Sequence, residues 1–179
     1  ELDLSGYILA PGYLDLHIHG YHGINLLEAG AEELKRFSLM LAHEGVTSFV
    51  ATTATMEEEQ LLAALQRLRF AAENGLPGAQ MVGIYLEGPF LSHEKKGAMK
   101  ETALCPPDVA LLQRLNEASG RLVRLVALAP ELSGAEAFIS FCKQNNIVVS
   151  LAHTAADYDT AKRGFEWGIS HITHLYNAM

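Results

Sequence analysis

Apolar and polar residues follow two alternating periods along this chain. Short aliphatic, β-branched runs recur, and between them lie longer segments whose apolar residues fall three and four apart. A period of two places successive side chains on opposite faces of a strand, whereas 3.6 gathers them on one face of a helix. The pattern predicts strands over Tyr13–His19, Val46–Thr55, Met81–Leu86, Leu122–Leu128, Ile147–Leu151 and His171–Leu175. It predicts helices over Ala29–His43, Met56–Asn74, Pro106–Ala118, Ser133–Asn146 and Asp157–Trp167, with Gly45, Gly75 and Gly168 as stops. Thr55, Ser133 and Asp157 or its neighbour are the expected helix caps. Glu1–Ala10 reads as two short strand pieces around a Ser5-Gly6 turn, closed by Pro11-Gly12.

Six strands alternating with five helices, at a period of about 28 residues, call for a parallel sheet covered by helices. A doubly wound open sheet usually announces a glycine-rich phosphate turn after its first strand, and GYHGIN is not one. The chemistry-bearing residues decide for a barrel. His17, His19, Glu87, His153 and His174 all fall at C-terminal strand ends, the rim where (β/α)8 enzymes place their active sites. Eight such units need roughly 225 residues, close to the ~250 typical of these barrels. The expected fold is therefore α/β, an incomplete (β/α)8 TIM-type barrel of about six units, and the chain is expected to be the first part of a longer polypeptide. Its first and last strands would otherwise be apolar open edges.

Composition narrows the function classes. With 49% hydrophobic and 19% charged residues the chain is suited to one ordinary core and not to disorder. A net charge of -8 leaves no basic stripe, so neither nucleic acid nor an anionic membrane is an expected partner. A pocket can still oppose the global sign and accept an anionic small molecule. The two cysteines, Cys105 and Cys142, form no CxxC and fit a reducing compartment. No apolar run approaches the roughly 18 residues of a spanning helix, and no basic-then-apolar leader opens the sequence. The expected location is the cytoplasm.

The stretch GYLDLHIHG carries the first chemistry. Asp15, His17 and His19 share one strand face by spacing, and Gly20 frees the backbone to turn. Two imidazoles on one strand end make half of a metal site. Glu87, His153 and His174 supply the rest: neutral nitrogens for a borderline divalent ion and one carboxylate able to bridge two. The fourth strand, LVRLVALAP, ends without a lysine that could bridge, which leaves Glu87 for that role. The loop EGPFLSHEKKGAMKETAL is longer and more polar than a connection requires, and is a candidate substrate-facing loop.

In order along the chain, PGYLDLHIHG, LEGPFLSHEKKGA, LAHTAADYD and THLYNAM resemble the N-acetylglucosamine-6-phosphate deacetylases of the amidohydrolase superfamily. EGPF followed by KKGA, and HLYNAM, are specific to that family, whereas His-x-His marks only the superfamily. The resemblance implies a metal-dependent (β/α)8 barrel with a small β-domain built from both chain ends. Residues 1–10 would be a remnant of that domain and 11–179 part of the barrel. The implied reaction is hydrolysis of the 2-acetamido group to acetate and glucosamine 6-phosphate.

Residue by residue, the resemblance implies Glu87, His153 and His174 as ligands of a principal metal, and His17 and His19 as the pair holding a second ion. One or two ions per subunit follow, zinc first, with iron, manganese, cobalt or nickel as alternatives. Ala98 and Met99 match a substrate-contacting dipeptide, although methionine lacks the polar group that histidine offers there in other members. Asn177 and Ala178 match a pair that holds the sugar phosphate, largely through backbone donors. The family's catalytic aspartate lies on the eighth strand, so it is expected beyond Met179, together with further phosphate-binding groups. No catalytic residue is assigned within the chain, and residues 1–179 alone are expected to be inactive. The resemblance also implies a homodimer for the full-length protein.

The other polar residues have plainer readings. His43 suits the negative end of a helix, His171 is expected to face the helices, and His93 to face solvent. His22 is a turn residue or a further site group, and Asp15 either orients an imidazole or makes an ordinary hydrogen bond. Asp157 and Asp159 are helix-start residues, and Lys95 and Lys96 either attract phosphate or are solvated. Two other functions stay open: an amidohydrolase acting on a cyclic amide or N-acyl amino acid, and a catalytically silent sugar-phosphate-binding homologue.

Overall fold

The computed structural model describes residues 3–179. Six parallel strands form one curled sheet: β1 (Tyr13–Ile18), β2 (Val46–Thr52), β3 (Gln80–Leu86), β4 (Val123–Leu128), β5 (Val148–Leu151) and β6 (His171–Ile172). They lie side by side in chain order. Five helices connect them: α1 (Ala31–His43), α2 (Glu58–Asn74), α3 (Val109–Ala118), α4 (Ala135–Gln144) and α5 (Tyr158–Trp167). This is a partial TIM-type barrel, as the β-α alternation requires.

The strands sort their residues by face. Phe49, Ile84, Leu86, Val126, Leu128, Val149 and Leu151 point outward and pack with Phe37, Leu65, Leu68, Leu112, Leu115 and Phe138 of the helices. Val50, Tyr85, Leu125 and Ala127 point inward and pack with Leu91, Met99 and Ala152. Tyr13, Leu14 and Leu16 of β1 are exposed, as are Ile172, Leu175 and Tyr176 at β6, so the two open sheet edges carry apolar surface.

Several local expectations are corrected. Among the described residues, positions 3–10 form no strand, only the turn at Ser5-Gly6; positions 1 and 2 lie outside the described residues. Short antiparallel pieces, Gly20–Tyr21 and Ile24–Asn25, follow β1 instead. β2 ends at Thr52, and α2 starts from Glu57 with no side-chain cap, so Thr55 is not its cap. Thr55 is drawn inward, where its backbone N–H reaches Met99 Sδ at 3.4 Å. Pro106 and Pro107 precede α3 without opening it. Asp108 does so, accepting from the backbone N–H groups of Ala110 and Leu111 at 2.8 and 3.1 Å. α4 starts from Gly134 in left-handed backbone (φ 88°), not from Ser133. Asp157 does cap α5, through Thr160 N–H at 2.8 Å.

Asp108→Ala removes an acceptor for two unpaired helix N–H groups, and the expected cost is about 1 kcal/mol, the usual worth of a cap. Urea unfolding should show a lower midpoint with an unchanged slope.

Candidate metal centre

The centre is built where the strands end. Glu87 follows β3 directly, and its side chain is 2% exposed at the sheet's C-terminal mouth. Its Oε2 lies 3.1 Å from His17 Nε2 and 2.8 Å from His19 Nε2, both delivered by β1. Its Oε1 lies 3.2 Å from His153 Nε2 and 2.9 Å from His174 Nε2, which follow β5 and β6. One carboxylate thus meets four imidazoles, two on each oxygen. The five predicted residues are brought together as two groups, His17–His19–Glu87 and Glu87–His153–His174, with the ligand atoms of each group within 4.8 Å of one another.

The donor set fits a divalent cation. His153 Nδ1 is 2.9 Å from Lys95 O, and His174 Nδ1 is 3.0 Å from Asn177 O. A carbonyl only accepts, so each Nδ1 carries the proton and, in a neutral ring, each Nε2 is left with a bare lone pair. Those two Nε2 atoms face each other at 3.2 Å, both beside Glu87 Oε1. Electron-rich atoms aimed at one another repel unless a proton or a cation sits among them. His17 and His19 repeat the arrangement, with their Nε2 atoms 3.1 Å apart on Oε2.

Protonation follows from the same contacts. Burial pushes the Glu87 carboxyl up, but hydrogen bonds from His153, His17 and His19 outweigh it and hold the group well below the ordinary carboxylate range. Burial pushes His153 down, but the Glu87 carboxylate and the Lys95 and Lys96 carbonyls more than reverse this, so its imidazolium persists above the ordinary histidine value. Below the centre, Tyr85 OH is 2.7 Å from Thr173 Oγ1, and Thr173 Oγ1 is 2.7 Å from Ser150 Oγ. Burial chiefly pushes the Tyr85 phenol up to about 12, so it stays a neutral hydrogen-bonding group. Its ring stacks edge-on against His17 at 5.4 Å.

Both histidines that follow β5 and β6 have left-handed backbone, φ 46° at His153 and 35° at His174. Such a conformation is uncommon outside glycine and breaks strand alternation at that point. That is why parity misplaces His171. It faces inward, with Nδ1 2.9 Å from Ser150 Oγ, and burial followed by the nearby His17 lowers its pKa.

The remaining candidates are placed as follows. Asp15 Oδ1 accepts from the His17 backbone N–H at 3.0 Å, an ordinary hydrogen bond and not an imidazole-orienting one. His22 is an exposed turn residue (φ 48°) stacked on Tyr21, away from the group. His93 is exposed and lies 3.7 Å from Glu101. The loop after β3 folds back over the site. A Cβ built at Gly97 would stand 3.3 Å from His153 and 3.8 Å from the Ala178 side chain, so the loop and the C-terminal segment meet at this ligand. Ala98 is exposed beside it, whereas Met99 is buried with its sulfur against Thr55. Asn177 turns its carbonyl to His174, while its own N–H donates to His174 O at 2.9 Å. Ala178 O accepts from Thr154 N–H at 3.2 Å. Carbonyl partners such as Lys95 O and Asn177 O carry no side-chain signature, so sequence reading passed over them; Tyr85 was readable as an inward neighbour, two residues before Glu87 on the same face.

Among the described residues no helix is long and apolar enough to cross a membrane. Parallel barrel strands that gather imidazoles around one buried carboxylate at their C-terminal ends define the class: a barrel enzyme with a possible divalent-metal centre. The chain belongs to the amidohydrolase family, whose sequence pattern matches residues 8–179. It is 40% identical over 175 residues to the N-acetylglucosamine-6-phosphate deacetylase of Bacillus subtilis, covering 96% of this chain and 44% of that protein. It is 37% identical to the N-acetylgalactosamine-6-phosphate deacetylase of Escherichia coli O157:H7, covering 96% of this chain and 46% of that one. Among solved structures, N-acetyl-D-glucosamine-6-phosphate deacetylase from Mycobacterium smegmatis superposes with a TM-score of 0.88 at 35% identity, covering 94% of this chain and 44% of that one. The chain therefore spans less than half the length of the relatives it matches.

Proposed function

We propose that the protein hydrolyses the acetamido bond of N-acetylglucosamine 6-phosphate, giving acetate and glucosamine 6-phosphate, with divalent ions held by the Glu87 cluster. The observation that carries this reading is the double engagement of Glu87, two imidazole nitrogens on each carboxylate oxygen. The substrate follows from the names of the similar deacetylases. Glu87, His153 and His174 hold the principal ion, and His17 and His19 with Glu87 a second, zinc being the best match to this donor set. Such an ion acts as a Lewis acid that polarises a carbonyl and acidifies water.

The chain's own residues do the positioning. Lys95 O and Asn177 O fix the ring orientation of His153 and His174, so that each Nε2 faces inward. The loop carrying Ala98 and Met99 walls one side of the mouth, and Asn177 with Ala178 receives the sugar phosphate. Residues 11–179 are the metal-holding part of the barrel, and 1–10 belong to a small β-domain. The proton-transfer aspartate of this family lies in the rest of the protein.

Acetate release by the zinc-loaded intact protein tests the proposal. N-acetylglucosamine 6-phosphate should be the fastest substrate, ahead of its galactosamine epimer and of N-acyl amino acids. Preferred turnover of an N-acyl amino acid, or no release from either sugar phosphate, would overturn it.

Proton competition gives a second expectation. With its pKa above the ordinary histidine value, His153 is largely protonated below that value, and an ion must displace the proton to bind. Zinc affinity should fall as pH drops below that raised pKa, approaching about tenfold per unit for one competing proton. Calorimetry in buffers of different ionisation enthalpy should show proton release.

A further inference from the structure

His153 is held in a backbone conformation that a β-carbon disfavours (φ 46°), so its surroundings must over-determine it. Two backbone bonds contribute: Ser92 N–H donates to His153 O at 2.9 Å, and Thr154 N–H to Ala178 O at 3.2 Å. The third restraint is a side chain from elsewhere. Glu131, in the loop after β4, accepts from Thr154 Oγ1–H at 2.5 Å through Oε2 and from Ala155 N–H at 2.7 Å through Oε1. Thr154 Oγ1 in turn accepts from Ala156 N–H at 2.9 Å.

This fork serves no helix. α4 starts from Gly134 and α5 is capped by Asp157, so neither needs Glu131. Glu131 also makes no salt bridge among the described residues. Both its oxygens go to the two residues that follow a ligand histidine. We propose that Glu131 is a positioning residue for the metal centre: it clamps the 154–156 turn and thereby sets the direction of His153 Nε2 toward Glu87. The inference rests on the reading of His153 as a ligand.

The test uses the intact protein, stripped of metal and titrated with Co2+, with the visible absorption of the bound ion as the readout beside activity. Glu131→Ala should weaken Co2+ binding about 10- to 100-fold, as loss of a ligand-orienting partner does, and alter the spectrum. Melting of the metal-free protein should change little. Glu131→Gln keeps an acceptor for Ala155 N–H and should recover most of the affinity. Thr154→Val removes one arm and should fall between; combined with Glu131→Ala it should cost less than the sum of the two, because they delete a shared bond. Wild-type Co2+ affinity and spectrum in Glu131→Ala, or a lowered melting temperature with both unchanged, would overturn the proposal. His153→Ala separates the two readings. If it binds Co2+ as tightly as wild type, the ligand assignment itself fails, whatever Glu131 does.

Discussion

A Glu87→Gln protein should lose bound metal and acetamide hydrolysis together, each by more than about 100-fold, beyond what loss of an outer partner costs. The change is nearly isosteric, so packing at this buried position is conserved and the effect isolates charge and donor pattern. A carboxylate offers acceptors to all four imidazoles. An amide replaces one oxygen by an N–H2 group and removes the negative charge that offsets a dication. Metal content after dialysis against buffered zinc, measured beside acetate release, checks both losses. Full activity at normal metal content would remove Glu87 from the centre.

The second large effect is expected at Phe90, three residues along the same loop. Its ring is fully buried, 4.7 Å from that of Phe138, and its carbonyl accepts from Ala129 N–H at 3.0 Å. The residue pins the start of the loop after β3 into the helix-side core. Phe90→Ala leaves a cavity in close-packed surroundings, with an expected loss of about 3–5 kcal/mol. Denaturant unfolding under a chelator should show it as a lowered midpoint. Zinc affinity should fall as well, because the segment just after Glu87 loses its anchor. A midpoint within error of wild type would show that the loop is held by other contacts.

Much of this molecule was legible in its sequence because two periods carry nearly all the information about a β-α barrel. Strand ends are where the periods change, and His17, His19, Glu87, His153 and His174 stand at those changes. Spacing put them on one rim, and the structure draws them to one carboxylate. What was not legible has specific causes. Alternation predicts facing only while the backbone is extended, and the left-handed residues His153 and His174 end that regime, so His171 came out on the wrong side. Helix starts were misplaced where several polar residues lie within a few positions: Thr55 and Ser133 are good caps by type, but burial and a left-handed glycine decided otherwise. Asp108 was overshadowed by the prolines before it. Glu131 had no local signal, since its partners lie more than twenty residues on.

The four imidazoles around Glu87 differ in how far they open to solvent. On the Oε2 side the imidazoles of His17 and His19 are 27% and 46% exposed, and on the Oε1 side those of His153 and His174 are 7% and 28%. His153 is therefore the most enclosed of the four imidazoles and His19 the most open. A chelator arriving from bulk water would meet the His19 ring first and the His153 ring last.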